Sequence, residues 1–461
     1  MDTSHYDAII IGSGQAGNPL ASSLAEAGKT VVLIEKDKLG GTCVNVGCTP
    51  TKAYVASARA AWAARNAHKL GVKQLGKVEV DLKAVKARKD QIITNSHKAL
   101  GGMIDGNPKI ILIRGAAKFA EAKTIEVNGE QLTADQIFIN VGARPRSPKG
   151  FEKVKYFTNE SILEVEEIPE KLIVVGGSYI GIEFAQIFSR FGSSVTIVEM
   201  NDRLINREDE ETSNIIADIL ENEGIELELG AKCIGGKPFG DNGVEVQLLC
   251  SGEKRSIRGS AILMATGRQS NADLLELNNA GINHDERDHI IVNEFCETNV
   301  ESVFAMGDCN GEGAFTHTAY NDFEIVNSFL NGGKRSLRDR YMNYALYMDP
   351  PMGRAGLSRD AALKKGIDIL YGRMEMKHVA RAVEKGETNG FMEVVIDKKT
   401  EKIIGATVLG IGGDEIIAVF LATMYAGASY KILRDSVQTH PTVCELIPTM
   451  LQDVKEIKSK K

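Results

Sequence analysis

Short apolar runs closed by glycine recur along the chain: Ala8–Ile11, Val31–Ile34, Ile110–Ile113, Ile137–Val141, Leu172–Val175 and Val195–Val198. Several show no alternation, the pattern of strands buried on both faces. Between some of them lie segments of helical period, Asn18–Ala27 and Ile180–Phe191. Strand, turn, helix and strand in that order predict an α/β fold with parallel sheets. After about residue 340 the pattern changes. Phe391–Asp397 and Ile403–Leu409 read as strands and Asp414–Ala428 as a helix, which predicts a separate α+β unit. Asn331–Lys334 and the charged stretch to Arg340 make the junction.

The first unit is repeated. Gly12-Ser-Gly14-Gln-Ala-Gly17 follows a strand and opens a helix, and Glu35 ends the next strand. Gly176-Gly-Ser178-Tyr-Ile-Gly181 does the same, with Glu199 at the same distance. Glycine there permits the tight turn and a close pyrophosphate approach, and the helix N-terminus favours the anion. The carboxylate accepts from ribose hydroxyls. Glu199 predicts NADH over NADPH, because it repels a 2′-phosphate, although Arg203 nearby would suit one. Further strands end in Val141–Pro145 and Ala265–Arg268. The expectation is two nucleotide-binding domains, the second inserted into the first: residues 1–149 and 268–340 in one, 150–267 in the other. Residues 341–461 form the C-terminal domain.

A length of 461 residues agrees with about three domains. Glycine is in excess at 46 residues, which suits many strand-to-helix turns. The net charge is −7 and the one basic cluster is Lys458, Lys460 and Lys461, so a nucleic-acid partner is not expected. Seven scattered cysteines do not make a secreted disulfide framework. The start shows no signal peptide, and the longest apolar stretch, Ile416–Ala428, is too short to span a bilayer. A cytoplasmic protein with no membrane partner is the expectation.

Gly40-Gly41-Thr42-Cys43-Val-Asn-Val-Gly-Cys48-Thr-Pro-Thr-Lys52 is the most specific stretch. Zinc would need two further ligands, and no second close cysteine pair exists, so no metal site is expected. A redox disulfide is the better reading and two buried unpaired cysteines the bland one. A pair at a helix start with Lys52 close by gains a depressed thiolate pKa.

These segments together closely resemble the pyridine nucleotide–disulfide oxidoreductases, the family that includes dihydrolipoamide dehydrogenase, glutathione reductase and mercuric reductase. The resemblance covers essentially the whole chain. It implies that residues 1–149 and 268–340 bind FAD, that 150–267 bind NAD(P)H, and that 341–461 make the interface of a homodimer. For FAD it implies Gly12, Gly14, Gly17, Glu35, Lys36, Gly41, Thr42, Lys52, Gly115, Ala117, Gly142, His317 and Asp308, the last closing Thr298–Asp308. For the nicotinamide nucleotide it implies Gly176, Tyr179, Gly181, Glu199 and Gly267, with Tyr179 covering the nicotinamide pocket. Cys48 would touch the flavin, and Cys43 would be the exposed thiol that attacks substrate. Lys52 would pair with Glu183. His440-Pro-Thr-Val-Cys-Glu445 resembles the family's C-terminal motif. A dithiol needs a base, histidine near pKa 6.5 suits it, and Glu445 orients the ring. In the family this histidine belongs to the partner subunit.

Three positions and the end of the chain depart from the family pattern. Ser270 replaces a proline, Thr49 stands where Ile or Val is usual, and Cys444 occupies a position commonly held by a small residue. Cys444 reads as a packing residue, with a third substrate-side thiol as the alternative. The end of the chain lacks the cysteine pair with which mercuric reductases receive Hg(II), which argues against efficient mercury reduction. The reading is an FAD-dependent enzyme passing electrons between NADH, FAD, Cys43–Cys48 and a small disulfide or dithiol substrate. A metal-ion reductase is the alternative, and a non-catalytic nucleotide-sensing flavoprotein the alternative of another class.

Overall fold

The computed structural model describes residues 4–146, 148–241, 243–250 and 252–459. The terminal Lys460 and Lys461 of the basic cluster lie outside the described residues. The fold is mixed α/β, and its first sheet has seven strands. Ser4–Ile11 runs at its centre, parallel to Val31–Glu35 on one side and to Glu130–Ile139 on the other. Glu130–Ile139 divides its further pairing. Its first half joins Thr124–Val127 antiparallel, and its last residues take Val303–Ala305 in parallel. That fork places the segment leading to Asp308 beside the first glycine fingerprint, although the two are about 290 residues apart in sequence.

A four-stranded parallel sheet repeats the arrangement: Glu226–Glu228, Ser194–Val198, Lys171–Val175 and Ala261–Met264. In both units the third fingerprint glycine explains itself. A Cβ on Gly17 would strike the carbonyl of Gly12, and one on Gly181 the carbonyl of Gly176. Helix and strand-end turn therefore close to backbone contact only with glycine at those places. Two expected elements are trimmed. The run Ile137–Val141 leaves its strand at Ile139, because the Asn140 side chain turns to take Gly17 N at 2.9 Å and to donate to Met306 O at 2.9 Å. The helix expected over Asp414–Ala428 runs from Gly413 to Tyr425. The connectors after both sheets, Ala143–Pro145 and Arg268–Ser270, pair with each other in a short antiparallel ladder.

The C-terminal part is a six-stranded antiparallel sheet that contains Phe391–Asp397 and Ile403–Leu409, with the Gly413–Tyr425 helix against it. One apolar cluster crosses all three parts, from Tyr54 through Phe184, Phe188 and Phe191 to Leu346, Met348 and Phe391. At its edge the buried Arg190 bonds Asp349 and Glu223, and the Gln186 amide brackets the Asp349 backbone through both its N–H and its carbonyl. Asp349 also takes Arg59 from the Cys48–Asn66 helix. Removing one partner of a buried pair leaves uncompensated charge, so Arg190→Met is expected to destabilise the protein by about 3 kcal/mol. Urea denaturation followed by tryptophan fluorescence checks this, since Trp62 lies 5.0 Å from the Arg190 guanidinium. An unchanged midpoint would show that this joint does not depend on the pair.

Candidate active site

The two cysteines occupy successive helices. Cys43 lies in the short Gly41–Asn45 helix and Cys48 opens the Cys48–Asn66 helix. Gly47 makes the link tight, for a Cβ there would lie 2.8 Å from Thr42 O and 3.2 Å from Cys43 Cα. Both sulfurs are free thiols, and Cys48 Sγ lies 3.2 Å from Thr316 Oγ1. The Cys43 thiol donating to Cys48 brings the Cys48 pKa down to about 6, assisted by the Thr316 hydroxyl and by Lys52. The same bond pushes Cys43 well up. In the chain alone Cys43 is half-buried and Cys48 is exposed.

Lys52 lies one turn further along the same helix. Its Nζ is 2.8 Å from Glu183 Oε2 and 4.5 Å from the centre of the Tyr347 ring. Glu183, on the Tyr179–Phe191 helix, is buried, and its other oxygen accepts Tyr347 N at 2.9 Å. The expected Lys52–Glu183 contact is therefore present, and Tyr347 is an addition that the sequence reading missed.

The two glycine cradles match in hydrogen bonding as well as in backbone. Glu35 accepts Ser13 N at 2.9 Å, Ser13 Oγ at 2.7 Å and Asp37 N at 2.9 Å. Glu199 accepts Gly177 N at 2.6 Å, and Asn201 N and Nδ2 at 2.8 and 2.5 Å. In each unit the carboxylate ties the residue after the first glycine to the residue two beyond itself. Arg203 turns instead to Asn206. Around the first cradle, Gly41 packs on Gly14 so closely that a Cβ would sit 3.0 Å from its Cα. Gly115 N donates to Glu35 O at 3.1 Å, Ala117 begins the next strand, and Lys36 is exposed beyond the carboxylate.

Arg268 gathers the remaining positions. It reaches Thr42 Oγ1 at 3.4 Å and the carbonyl of Ala143, one residue after Gly142, and its Nε lies 3.5 Å from Asp308 Oδ2 without a hydrogen-bond partner. Burial holds the Asp308 carboxyl up against the opposing pull of Arg268. Gly142 and Gly267, each at positive φ, flank the connector ladder that carries Arg268. Glycine turns with backbone exposed to an anion, an acidic residue at each strand end, an arginine with an unpartnered buried N–H and an aspartate beside it fit a flavin dinucleotide in the first unit. The second cradle fits a nicotinamide dinucleotide. Tyr179 packs on Phe315 at 5.6 Å, and burial raises its phenol. His317 stacks on Phe315 at 5.5 Å and bonds Asn343 O at 2.9 Å, with burial lowering its pKa.

His440 and Glu445 are paired, Nδ1 to Oε2 at 2.7 Å. The ring is 76% exposed, and within one chain it bonds neither Cys43 nor Cys48. Cys444 is half-buried against the C-terminal core and burial raises its pKa. Sequence reading also missed Asn140 and Thr316. Asn140 follows an apolar strand without any motif, and Thr316 meets Cys48 only through the fold. Among the described residues, no three or more His, Cys, Asp or Glu side chains are placed to hold a metal ion, and no helix is long and apolar enough to cross a membrane.

Comparison with known proteins gives these features a family. Residues 6–322 match the model of the pyridine nucleotide-disulphide oxidoreductases, and residues 342–451 match that family's dimerisation domain. The chain is 33% identical to the probable pyridine nucleotide-disulfide oxidoreductase RclA of Escherichia coli, covering 98% of this chain and 99% of the relative. It is 34% identical to a dihydrolipoyl dehydrogenase of Thermus scotoductus over 95% of each. A mercuric reductase of Lysinibacillus sphaericus is 31% identical over 96% of this chain and 82% of its own length. Among solved structures, a Cu(II) complex of the HOCl-induced flavoprotein disulfide reductase RclA from Escherichia coli superposes with a TM-score of 0.89 at 32% identity, covering 99% of this chain and all of the other. The chain belongs to the pyridine nucleotide-disulphide oxidoreductases, FAD-dependent enzymes that work with NAD(P)H, and it carries their dimerisation domain.

Proposed function

We propose that the protein is a homodimeric, NADH-linked disulfide oxidoreductase of the dihydrolipoamide dehydrogenase type, acting on a small disulfide or dithiol through Cys43 and Cys48. The observation that carries this reading is the Cys43–Cys48 pair on successive helices, with Lys52 one turn on and the Thr316 hydroxyl 3.2 Å from the Cys48 sulfur. Gly12, Gly14, Gly17, Glu35, Lys36, Gly41, Thr42, Gly115, Ala117, Gly142, His317 and Asp308 hold FAD. Gly176, Tyr179, Gly181, Glu199 and Gly267 hold the nicotinamide nucleotide. Bound FAD supplies the two-electron relay between a hydride donor and the cysteine pair. Lys52, neutralised on its far side by Glu183, keeps positive charge beside Cys48.

With the pair reduced, Cys43 loses its proton to His440 of the partner subunit and attacks one sulfur of the substrate. The substrate S–S bond breaks, and its leaving thiolate takes the proton from that histidine. The Cys48 thiolate then attacks Cys43 in the mixed disulfide, the second half of the substrate leaves as a thiolate that takes a proton from solvent, and the Cys43–Cys48 bond is restored. A dithiol donor runs the same steps in reverse. Glu445 holds the imidazole through Nδ1, leaving Nε2 for the proton. Seven free cysteines suit a reducing compartment, and we assign the protein to the cytoplasm.

A second reading, metal-ion reduction, draws on the soft cysteine pair and on similarity to mercuric reductases and to a flavoprotein solved with Cu(II). NADH consumption with lipoamide, glutathione disulfide, Hg(II) and Cu(II) separates the two. The disulfide reading predicts turnover with a disulfide that falls at least 100-fold in Cys43→Ser, in keeping with loss of a covalent nucleophile. Turnover with metal ions alone overturns it.

Two further outcomes follow from the proposed sites. kcat/KM is expected to be higher for NADH than for NADPH, and Glu199→Gln, which removes the charge, to narrow the ratio about tenfold. A wild-type preference for NADPH refutes the assignment of Glu199. Mixing Cys43→Ser and His440→Ala proteins under subunit exchange is expected to restore activity through hybrid dimers with one intact site. No recovery after proven exchange places the histidine in its own chain's site or outside catalysis.

A further inference from the structure

Arg207 follows the second nucleotide cradle in a run, Arg207-Glu208-Asp209-Glu210, that reads as solvated charges neutralising one another. The fold takes that run apart. Glu208 turns inward, accepts the Tyr344 hydroxyl and lies 3.4 Å from Arg354. Asp209 is buried too and accepts the Ser358 hydroxyl. Both acids are spent on the C-terminal part, and Glu211 is spent there on Arg359 and Arg373. Arg203 is held by Asn206. Arg207 stays exposed, and among the described residues its guanidinium has neither a hydrogen bond nor an ion pair. It rests instead on two rings, 6.0 Å from the centre of Tyr179 and 5.3 Å from that of Tyr344. A planar guanidinium held on aromatic faces keeps its N–H groups free at its edge.

One of those rings belongs to the cradle itself. Tyr179 is the first residue of the Tyr179–Phe191 helix, whose first turn holds no acidic side chain and takes no cap from Ser178. In the first unit the Asn140 side chain accepts the Gly17 N–H. The matching place in the second unit is Ala265, whose carbonyl faces Gly176 as that of Asn140 faces Gly12. Alanine offers no side-chain oxygen, so the second cradle keeps its helix N–H groups for an anion. The segment carrying Arg207 is tied to the same turn. Ile205 N donates to Gly177 O at 2.9 Å, and a Cβ on Gly177 would lie 2.6 Å from Leu204. The other charged groups around Tyr179 are Arg268, Asp308 and Glu183. Asp308 lies beside Arg268 and Glu183 holds Lys52, so neither acid neutralises Arg207.

We propose that Arg207 binds the pyrophosphate of the nicotinamide dinucleotide, as the side-chain complement to the backbone cradle. This rests on the proposed assignment of the second unit to that nucleotide. A pyrophosphate diester carries two negative charges, and a helix N-terminus answers with about half a positive charge. A guanidinium supplies the balance and offers two parallel N–H groups to phosphate oxygens. Arg207 and Glu199 then divide the work. Glu199 stands at the ribose end and decides between NADH and NADPH. Arg207 contacts a group that both nucleotides share, so it adds affinity without discrimination.

The test is calorimetric titration of the FAD-loaded protein with NAD+, NADP+ and ADP-ribose, which keeps the pyrophosphate and lacks the nicotinamide. Arg207→Gln is expected to weaken all three by the same factor, about tenfold, the size of a hydrogen bond between charged groups. Arg207→Lys keeps the charge and is expected to recover most of that loss. An unaltered affinity for ADP-ribose overturns the inference, because a role exerted on the nicotinamide end through Tyr179 would show with NAD+ and NADP+ alone. A loss confined to NADP+ overturns it as well, since it places the arginine at the 2′-phosphate. So does a lysine variant as weak as the glutamine one. If wild-type protein binds none of the three, the assignment of the second unit to a nicotinamide dinucleotide fails. That result is distinct from an unaltered Arg207→Gln in a protein that binds them.

Discussion

Glu183 is a buried carboxylate that three distant stretches of chain must agree about. It stands on the Tyr179–Phe191 helix, takes the Lys52 ammonium from the Cys48–Asn66 helix, and takes the Tyr347 N–H from the segment that enters the C-terminal sheet. A carboxylate only 3% exposed has lost its water and needs such partners, so its burial commits all three parts to one arrangement. The arrangement is the one the chemistry requires. Lys52 is held beside Cys48, Tyr347 lies flat under the ammonium, and the second nucleotide cradle opens at the N-terminus of the helix that carries Glu183. The apolar cluster from Tyr54 to Phe391 and the Arg190–Asp349 pair surround this point and resist shear at the same joint.

Charge is arranged as a gradient around the cysteines. The Thr316 hydroxyl and Lys52 flank Cys48, whose pKa is lowered, while that of Cys43 is raised. The only imidazole–carboxylate pair in the C-terminal part, among the described residues, is His440 with Glu445. Its ring is exposed and within one chain bonds neither cysteine, and the chain carries the family's dimerisation domain.

Much of this was legible in the residues. Both glycine fingerprints, the carboxylate after each, the cysteine pair and the C-terminal histidine motif are local patterns with fixed spacing, and local patterns survive in sequence. Phe391–Asp397 and Ile403–Leu409 were readable to the residue because buried antiparallel strands end where polar turns begin. What was not legible depends on contacts between distant segments. Asn140 looks like the polar end of a strand, yet its amide joins the first fingerprint to Met306. Thr316 has no signature, because its partner is 268 residues away.

The central claim is that Cys43 and Cys48 form the pair that exchanges electrons with the nicotinamide nucleotide. Anaerobic thiol counting with mass mapping, before and after one equivalent of NADH is added to the oxidised holoenzyme, tests it directly. The account predicts a gain of two alkylatable thiols under denaturing quench, both mapping to Cys43 and Cys48, with the other five cysteines unchanged. No gain, or a gain at any other cysteine, would contradict it.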